Sequence, residues 1–327
     1  MIMKSPFTGG KAVLCYENRE ATFRKERFNY VHRYYKCSDT GEFFTTTKID
    51  YVNLMQIHNQ YRIKYGIPFP DEIKATRNHY GFSASKMSRI LGFGENTYRL
   101  YENGDMPNIA NGRTLMAIQS PSVFMKFLED AKGELSIEEY NKAVNRISGE
   151  DRVQKFLERL VFGGKPRGIF NGYTYQSISK LKNAILYFIE KMNGVFVTKM
   201  NKLLFFADFV SYRENGQAIT GLSYKAIQFG PVPEYWDSIY GLIEDIDQVI
   251  VDFGNGNSGQ KLVSKISFDA SVFTPEQMSV LEHVCTIFYN DTSSKISNRS
   301  HNEDAWKENV DCHDIISFDY AFSLKEV

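Results

Sequence analysis

No apolar run in the 327-residue chain approaches the roughly 20 residues that a membrane helix needs. The first residues, MIMKSPFTGGK, contain no apolar core of an export signal. The chain is therefore expected in the cytoplasm, with no membrane as partner. Cysteine is scarce: Cys15, Cys37, Cys285 and Cys312 are the only four, and no two form a Cys-x-x-Cys pair. Neither a disulfide framework nor a complete zinc site can be assembled from them, so free thiols, no metal and no cofactor are expected. The sequons at Asn290 and Asn298 are then chance matches, because glycosylation requires a secretory route. Net charge is missing as well, with 39 basic and 39 acidic residues, and no internal repeat or low-complexity run is found.

Hydrophobic residues make up 43% of the chain and aromatics 14%, which excludes a disordered polymer. The length exceeds what one core organises, so two or three domains are expected. The zero net charge conceals an asymmetry: residues 1–105 carry 16 basic and 11 acidic residues, and residues 106–327 carry 23 and 28. A basic part beside an acidic part suits contact with nucleic acid at one end and with something else at the other.

Residues 11–50 read as short strands, KAVLCYE, FRKERFNYVHRYYKC and EFFTTTKI, separated by turn residues at Asn18, Asp39 and Gly41. A small antiparallel sheet follows from them. A helix is expected over 50–65, ended by Gly66-Ile67-Pro68-Phe69-Pro70. Three short helices come next, over 71–79, 83–91 and 94–102, punctuated by Gly81, Ser83 as an N-cap, Gly92 and Gly104. This is helix-turn-helix spacing. Ile73, Met87, Ile90, Leu91, Tyr98 and Tyr101 would share one core and leave Glu95, Asn96 and Arg99 outside. Further helices are expected over 113–130 and over 136–161, the latter starting with a Ser136/Glu139 capping box.

The segment FGGKPRGIFNG, residues 162–172, marks a boundary. It fails as a phosphate loop, because Pro166 follows Lys165 where a Ser or Thr should open a helix. Helices are expected over 177–191 and 198–212. After them come a strand over 224–228, a Gly230-Pro231 turn that aims a helix after Pro233, and a helix starting at Thr274-Pro275 with a capping box.

The stretch FSASKMSRILGFGENTYRLYENG, residues 82–104, resembles the Xre/HigA class of helix-turn-helix. With GIPFPDEIKATR before it and the sheet upstream, it is similar to the MqsA-type antitoxins. Proteins of that kind carry two Cys-x-x-Cys pairs in the sheet, and Ser5, Thr8, Cys37 and Thr40 occupy the corresponding positions here. Hydroxyls are poor zinc ligands, so the sheet is expected to persist without metal, on its aromatic residues. The stretch KMNKLLFFADFVSYRENGQAITGLSYKAIQFGPVPEYWD, residues 199–237, resembles the Panacea domain of SocA-like antitoxins, as do Trp306 and IISFDYAFSL near the end. That resemblance implies neutralisation of a protein toxin, with an adjoining DNA-binding module that represses the operon.

The fold class expected is α+β, predominantly α. Residues 1–60 would form the zinc-less β domain, 61–130 the helix-turn-helix, 131–168 a helical linker and 169–327 the Panacea-like domain. Asn96 and Arg99 are base-reading candidates, since Asn pairs bidentately with adenine and Arg with guanine. The MqsA resemblance supports Asn96 but expects Arg where Leu100 stands, which makes Arg99 a displaced substitute. Ser83, Ser85, Lys86 and Thr97 would hold phosphates, and Glu95 is a DNA-binding candidate on the same outer face as Asn96 and Arg99.

On one buried helical face, Phe205, Phe206, Phe209, Tyr212, Tyr235, Trp236 and Tyr240 cannot all be core, so they and Lys202 are the toxin-contact candidates. The partners expected are a cognate toxin, operator DNA and a second copy of the chain. The six histidines show no paired spacing, and Cys312-His313-Asp314 does not by adjacency surround a reacting atom, so no catalytic residue is assigned. Two other readings remain: a stand-alone transcription regulator with a sensing C-terminal domain, and a metal enzyme using His301, Cys312 and His313.

Overall fold

The computed structural model describes residues 3–148, 152–254 and 256–327. The fold is α+β and predominantly α, about 50% helix against 17% strand. Two compact units are present: Met1–Gln56 with Gln154–Val327, and Ile57–Val153. The N-terminal sheet and the C-terminal half thus fall in one unit.

The sheet is antiparallel, in the order β1 (Met3–Lys4), β2 (Lys11–Phe23), β3 (Glu26–Cys37) and β4 (Phe43–Phe44). Asn18 does not turn the chain. It stands in the middle of β2 opposite Val31, and the turn falls at Arg24-Lys25, with φ of 48° and 71°. Left-handed φ at both turn residues matches the twist of a tight hairpin. The last expected strand shortens to β4, because Thr47 already begins α1 (Thr47–Tyr65). Two amide side chains of α1 bond the main chain of β3 in both directions, Gln56 with Val31 and Asn53 with Arg33, at 2.9–3.0 Å. These bonds satisfy strand groups that would otherwise be stranded in the interior. Ser5, Thr8, Cys37 and Thr40 do converge, and hydrogen bonds from Ser5, Thr40 and Thr8 hold the Cys37 thiol down to about 6. Stacked Tyr35 and Phe44 and edge-on Phe7 and Phe44 pack beside them.

The second unit contains α2 (Pro70–Tyr80), α3 (Ala84–Ile90), α4 (Thr97–Glu102), α5 (Ile109–Ala117), α6 (Pro121–Asp130) and α7 (Ile137–Ser148). Ser83 caps α3 by accepting from Lys86 N at 3.2 Å, and Gly81 ends α2 at φ 78°. The expected core residues from Ile73 to Tyr101 are all buried, joined by Leu115, Ile118, Phe124 and Leu128. Tyr80 stacks on Phe124 at 3.7 Å. The capping box opening α7 forms in both directions. From the segment expected as a helical linker over 131–168, α7 inserts Ala143 into this core and packs Tyr140, Val144 and Ile147 against it. An amphipathic helix beside an open apolar core covers it.

The chain then forms α8 (Arg152–Phe162), α9 (Ile178–Met192), β5 (Val195–Phe196), α10 (Val197–Asn215), β6 (Tyr224–Ile227) and β7 (Gly230–Pro233). Next come α11 (Ile239–Leu242), β8 (Asp247–Gly254), β9 (Asn257–Val263), α12 (Pro275–Phe288), α13 (Ser293–Ser300) and α14 (Asp304–Lys307). The Gly230-Pro231 turn is also corrected: Gly230–Pro233 is a strand paired with β6, and the hairpin tip is Gln228-Phe229. Proline is tolerated because β7 is an edge strand of this two-stranded sheet. Hairpin β8–β9, with β5 on its other side, was not foreseen.

Arg33 of β3 ties the sheet to α10. Its guanidinium donates to both carboxylate oxygens of Glu214, at 3.1 and 3.2 Å, and to the Arg213 carbonyl. Burial pushes the Glu214 carboxyl up, but Arg33 and Arg213 outweigh it and hold the group below the usual glutamate range. A carboxyl with a depressed folded-state pKa stabilises the fold above its unfolded pKa, and loses that contribution as the pH falls through the folded value. Arg33→Met should therefore cost about 3 kcal/mol at neutral pH. In urea unfolding, the difference from wild type should narrow between about pH 5 and pH 3, where glutamate protonates.

Candidate functional site

Helix α10 is covered on every side, with every residue from Lys199 to Tyr212 buried, the polar Asn201, Lys202 and Asp208 included. A helix of that kind belongs inside a core. Phe206 stacks on Phe288 of α12 at 4.6 Å, and Phe209 stacks on Phe318 at 4.2 Å. Phe205 meets Phe209 at 4.3 Å and Tyr224 at 5.6 Å. Tyr212 packs on Tyr173 and Phe318, and Tyr240 donates to Asn201 Oδ1 at 2.6 Å. Lys202, Phe205, Phe206, Phe209, Tyr212 and Tyr240 are all 2% exposed or less. They are corrected from toxin contacts to core. The premise that only one face of this helix is covered fails, since α9, α12, α13 and β7 all pack on it.

Asp208, within this core, is fully buried and accepts four hydrogen bonds: Ile219 N and Thr220 N at 2.8 Å, Thr220 Oγ1 at 2.5 Å and Tyr224 Oη at 2.6 Å. Burial raises its pKa, and the four donors oppose that rise. The carboxylate thereby fixes the loop that leads from α10 into β6. Its role is structural.

Two aromatic candidates remain near the surface. Tyr235 is half-buried, with its hydroxyl against Gly163. Trp236 is 38% exposed and borders two adjoining depressions. The larger, about 790 Å³, runs between Trp236, the α9–α10 junction at Phe196, hairpin β8–β9 at Phe253, and the start of α13 at Ser293. The smaller, about 490 Å³, lies between Trp236, Phe229 at the β6–β7 tip, and the α13 face formed by Ser294, Ser297 and His301. Phe229, Phe253 and Tyr289, which line these depressions, stand 55–67% exposed. A surface with aromatic anchors beside concave, partly apolar walls is suited to holding a protein partner. Phe229, Phe253 and the α13 serines were missed from the sequence, because the chain segments that supply them are far apart.

In the second unit, Glu95, Asn96 and Arg99 are exposed at and after the start of α4, as is Leu100, while Thr97 is half-buried. Arg89 reaches Glu95 at 3.7 Å. Ser83 is exposed and Ser85 half-buried at the start of α3. Lys86 is engaged, with Glu139 of α7 and the Glu134 carbonyl both at 3.3 Å. Helix α7 also brings Lys142 and Arg146 beside Ser83 and Lys86, two cations that the local sequence pattern did not indicate.

Cys312 is exposed, His313 Nδ1 lies 3.2 Å from the Ala226 carbonyl, and His301 stacks on Trp306 at 4.1 Å. Among the described residues no group of three or more His, Cys, Asp or Glu could hold a metal ion, and no helix is long and apolar enough to cross a membrane.

The model of the family described as "Antitoxin SocA-like, Panacea domain" matches residues 200–307. The match takes in nearly all of α10, the β6–β7 hairpin, Trp236 and helices α11 to α14. No curated protein and no solved structure matches the chain. Over residues 200–307, the part that carries the Trp236 surface, the chain is similar to the Panacea domain of SocA-like antitoxins.

Proposed function

We propose that the protein is the antitoxin of a type II toxin–antitoxin pair, which neutralises a cognate protein toxin by binding it and represses its own operon. The family match over residues 200–307 carries this reading, and it favours a regulatory role over a catalytic one. The toxin would seat on the exposed surface around Trp236, with Tyr235 behind it and Phe229 and Phe253 on either side. Lys202 and the α10 aromatics support that surface from below. Operator DNA would meet the second unit: Asn96 and Arg99 at base edges, and Ser83, Ser85, Lys86 and Thr97 along the phosphates. Two copies of the chain would read two half-sites, as helix-turn-helix proteins do. For Lys86 this requires exchanging Glu139 for a phosphate.

The two activities then separate by mutation. Asn96→Ala should weaken operator binding about tenfold to a hundredfold, the worth of one bidentate base contact. It should leave rescue of toxin-expressing cells intact. Band-shift titration beside a growth assay checks this, and loss of both activities together would contradict the division of labour.

A further inference from the structure

Lys202 is wholly buried on α10, yet its Nζ makes no hydrogen bond among the described residues. Two other buried polar atoms nearby, Ser297 Oγ on α13 and Nε2 of its C-cap residue His301, also make no hydrogen bond among the described residues. The three belong to one place. Thr198, a turn before Lys202, lines the smaller depression together with Phe229, Ser297 and His301. The Lys202 side chain runs under the next residue of the hairpin, so that a Cβ on Gly230 would fall 2.7 Å from its Cε and 2.6 Å from Ser300 Oγ. Burial, and after it the nearby Lys202 charge, lower the His301 pKa, while a hydrogen bond to the Phe229 main chain opposes them. The amine thus lies behind the wall formed by Phe229, Ser297 and His301.

A buried ammonium left without an acceptor is costly, and Lys202 Nζ shares this depression with two further unpaired polar atoms. The buried carboxylates of the described residues nearby are already engaged. Asp208 is occupied by its four donors, Asp291 by Lys295 and Arg299, and Glu303 by the Lys325 and Glu326 amides. Among the described residues no carboxylate acts on Lys202, whose pKa burial lowers to about 7.

We propose that this depression is an oxyanion site, in which a carboxylate or phosphate group entering between Trp236 and α13 is bound by Lys202 Nζ, Ser297 Oγ and His301 Nε2. The Phe229 tip gives way to admit it. The site stands independently of toxin binding, because it is a property of the chain alone.

Both tryptophans of the chain report on it, Trp236 from the rim and Trp306 from its stack on His301. Tryptophan fluorescence of the full chain, titrated separately with inorganic phosphate and with acetate against chloride at constant ionic strength, should show a saturable change with at least one of them. Preference between the two tells a tetrahedral from a planar group. Lys202→Met should abolish saturation, Ser297→Ala should weaken binding several-fold, and the exposed control Lys265→Met should match wild type. Lys202→Met should also raise the melting temperature without anion, since it removes an unpaired buried amine, and the bound anion should raise that of wild type alone. No saturation in wild type with either probe, or an unchanged titration in both Lys202→Met and Ser297→Ala, would overturn the proposal. Ser297→Ala keeps it testable if Lys202→Met fails to fold.

Discussion

Asp208→Ala should destabilise the chain by about 4 kcal/mol, enough to unfold many proteins of ordinary stability. The carboxylate is 0% exposed, and it is the acceptor for two main-chain amides and two hydroxyls. Each buried donor stranded by its removal costs about 1–3 kcal/mol, reduced where water or local rearrangement offers a substitute. The loss is concentrated where it does most damage, because Ile219, Thr220 and Tyr224 connect α10 to the hairpin whose tip carries Phe229. Asp208→Asn should cost about half as much, since the amide keeps the volume and one acceptor but turns an N–H toward groups that donate. Urea unfolding followed by circular dichroism gives both values. A cost for Asp208→Ala below about 1 kcal/mol, the worth of one ordinary hydrogen bond, would show that the donors find other partners.

What could be read from the sequence was local. Ser83, the Ser136/Glu139 pair and Thr274 with Gln277 all cap the helices expected of them, because a cap needs only residues within one turn. The core of the second unit followed from helical spacing for the same reason. The errors lie where distant chain decides. Asn18 suits a turn, but the alternating pattern on both sides continues, and pairing with Val31 carries the strand through it. Gly230-Pro231 suits a turn equally well, but pairing with Lys225 to Ile227 makes it strand. Hairpin β8–β9 was signalled by the Gly254-Asn255-Gly256-Asn257 run, although Asn255 itself lies outside the described residues.

The largest misreading concerned α10. Counting aromatics along a helix says how much must be covered, while how many sides are covered depends on α9, α12, α13 and β7. Of the eight toxin-contact candidates only Trp236 emerged as exposed, with Tyr235 half-buried, and the groove beside them draws on segments nearly a hundred residues apart. The family resemblance pointed to the stretch that the family model matches but not to the face it presents.

Trp236 therefore bears most of the account. It borders both depressions and lies among Phe229, Phe253 and Tyr289, so a partner seated there would bury its indole at the centre of the contact. Tryptophans so placed commonly contribute about 2–4 kcal/mol to binding, which is roughly thirtyfold to a thousandfold in affinity. The indole is already partly solvated and its removal opens no core cavity, so Trp236→Ala should fold as wild type does. The most direct measurement co-expresses the full chain with the toxic product of the neighbouring reading frame and follows growth, with the affinity of the purified pair determined alongside. The wild-type chain should restore growth and bind the toxin, and Trp236→Ala should lose at least thirtyfold in affinity and fail to rescue. Rescue without a complex, or a folded Trp236→Ala chain that binds and rescues as wild type does, would contradict neutralisation through this surface.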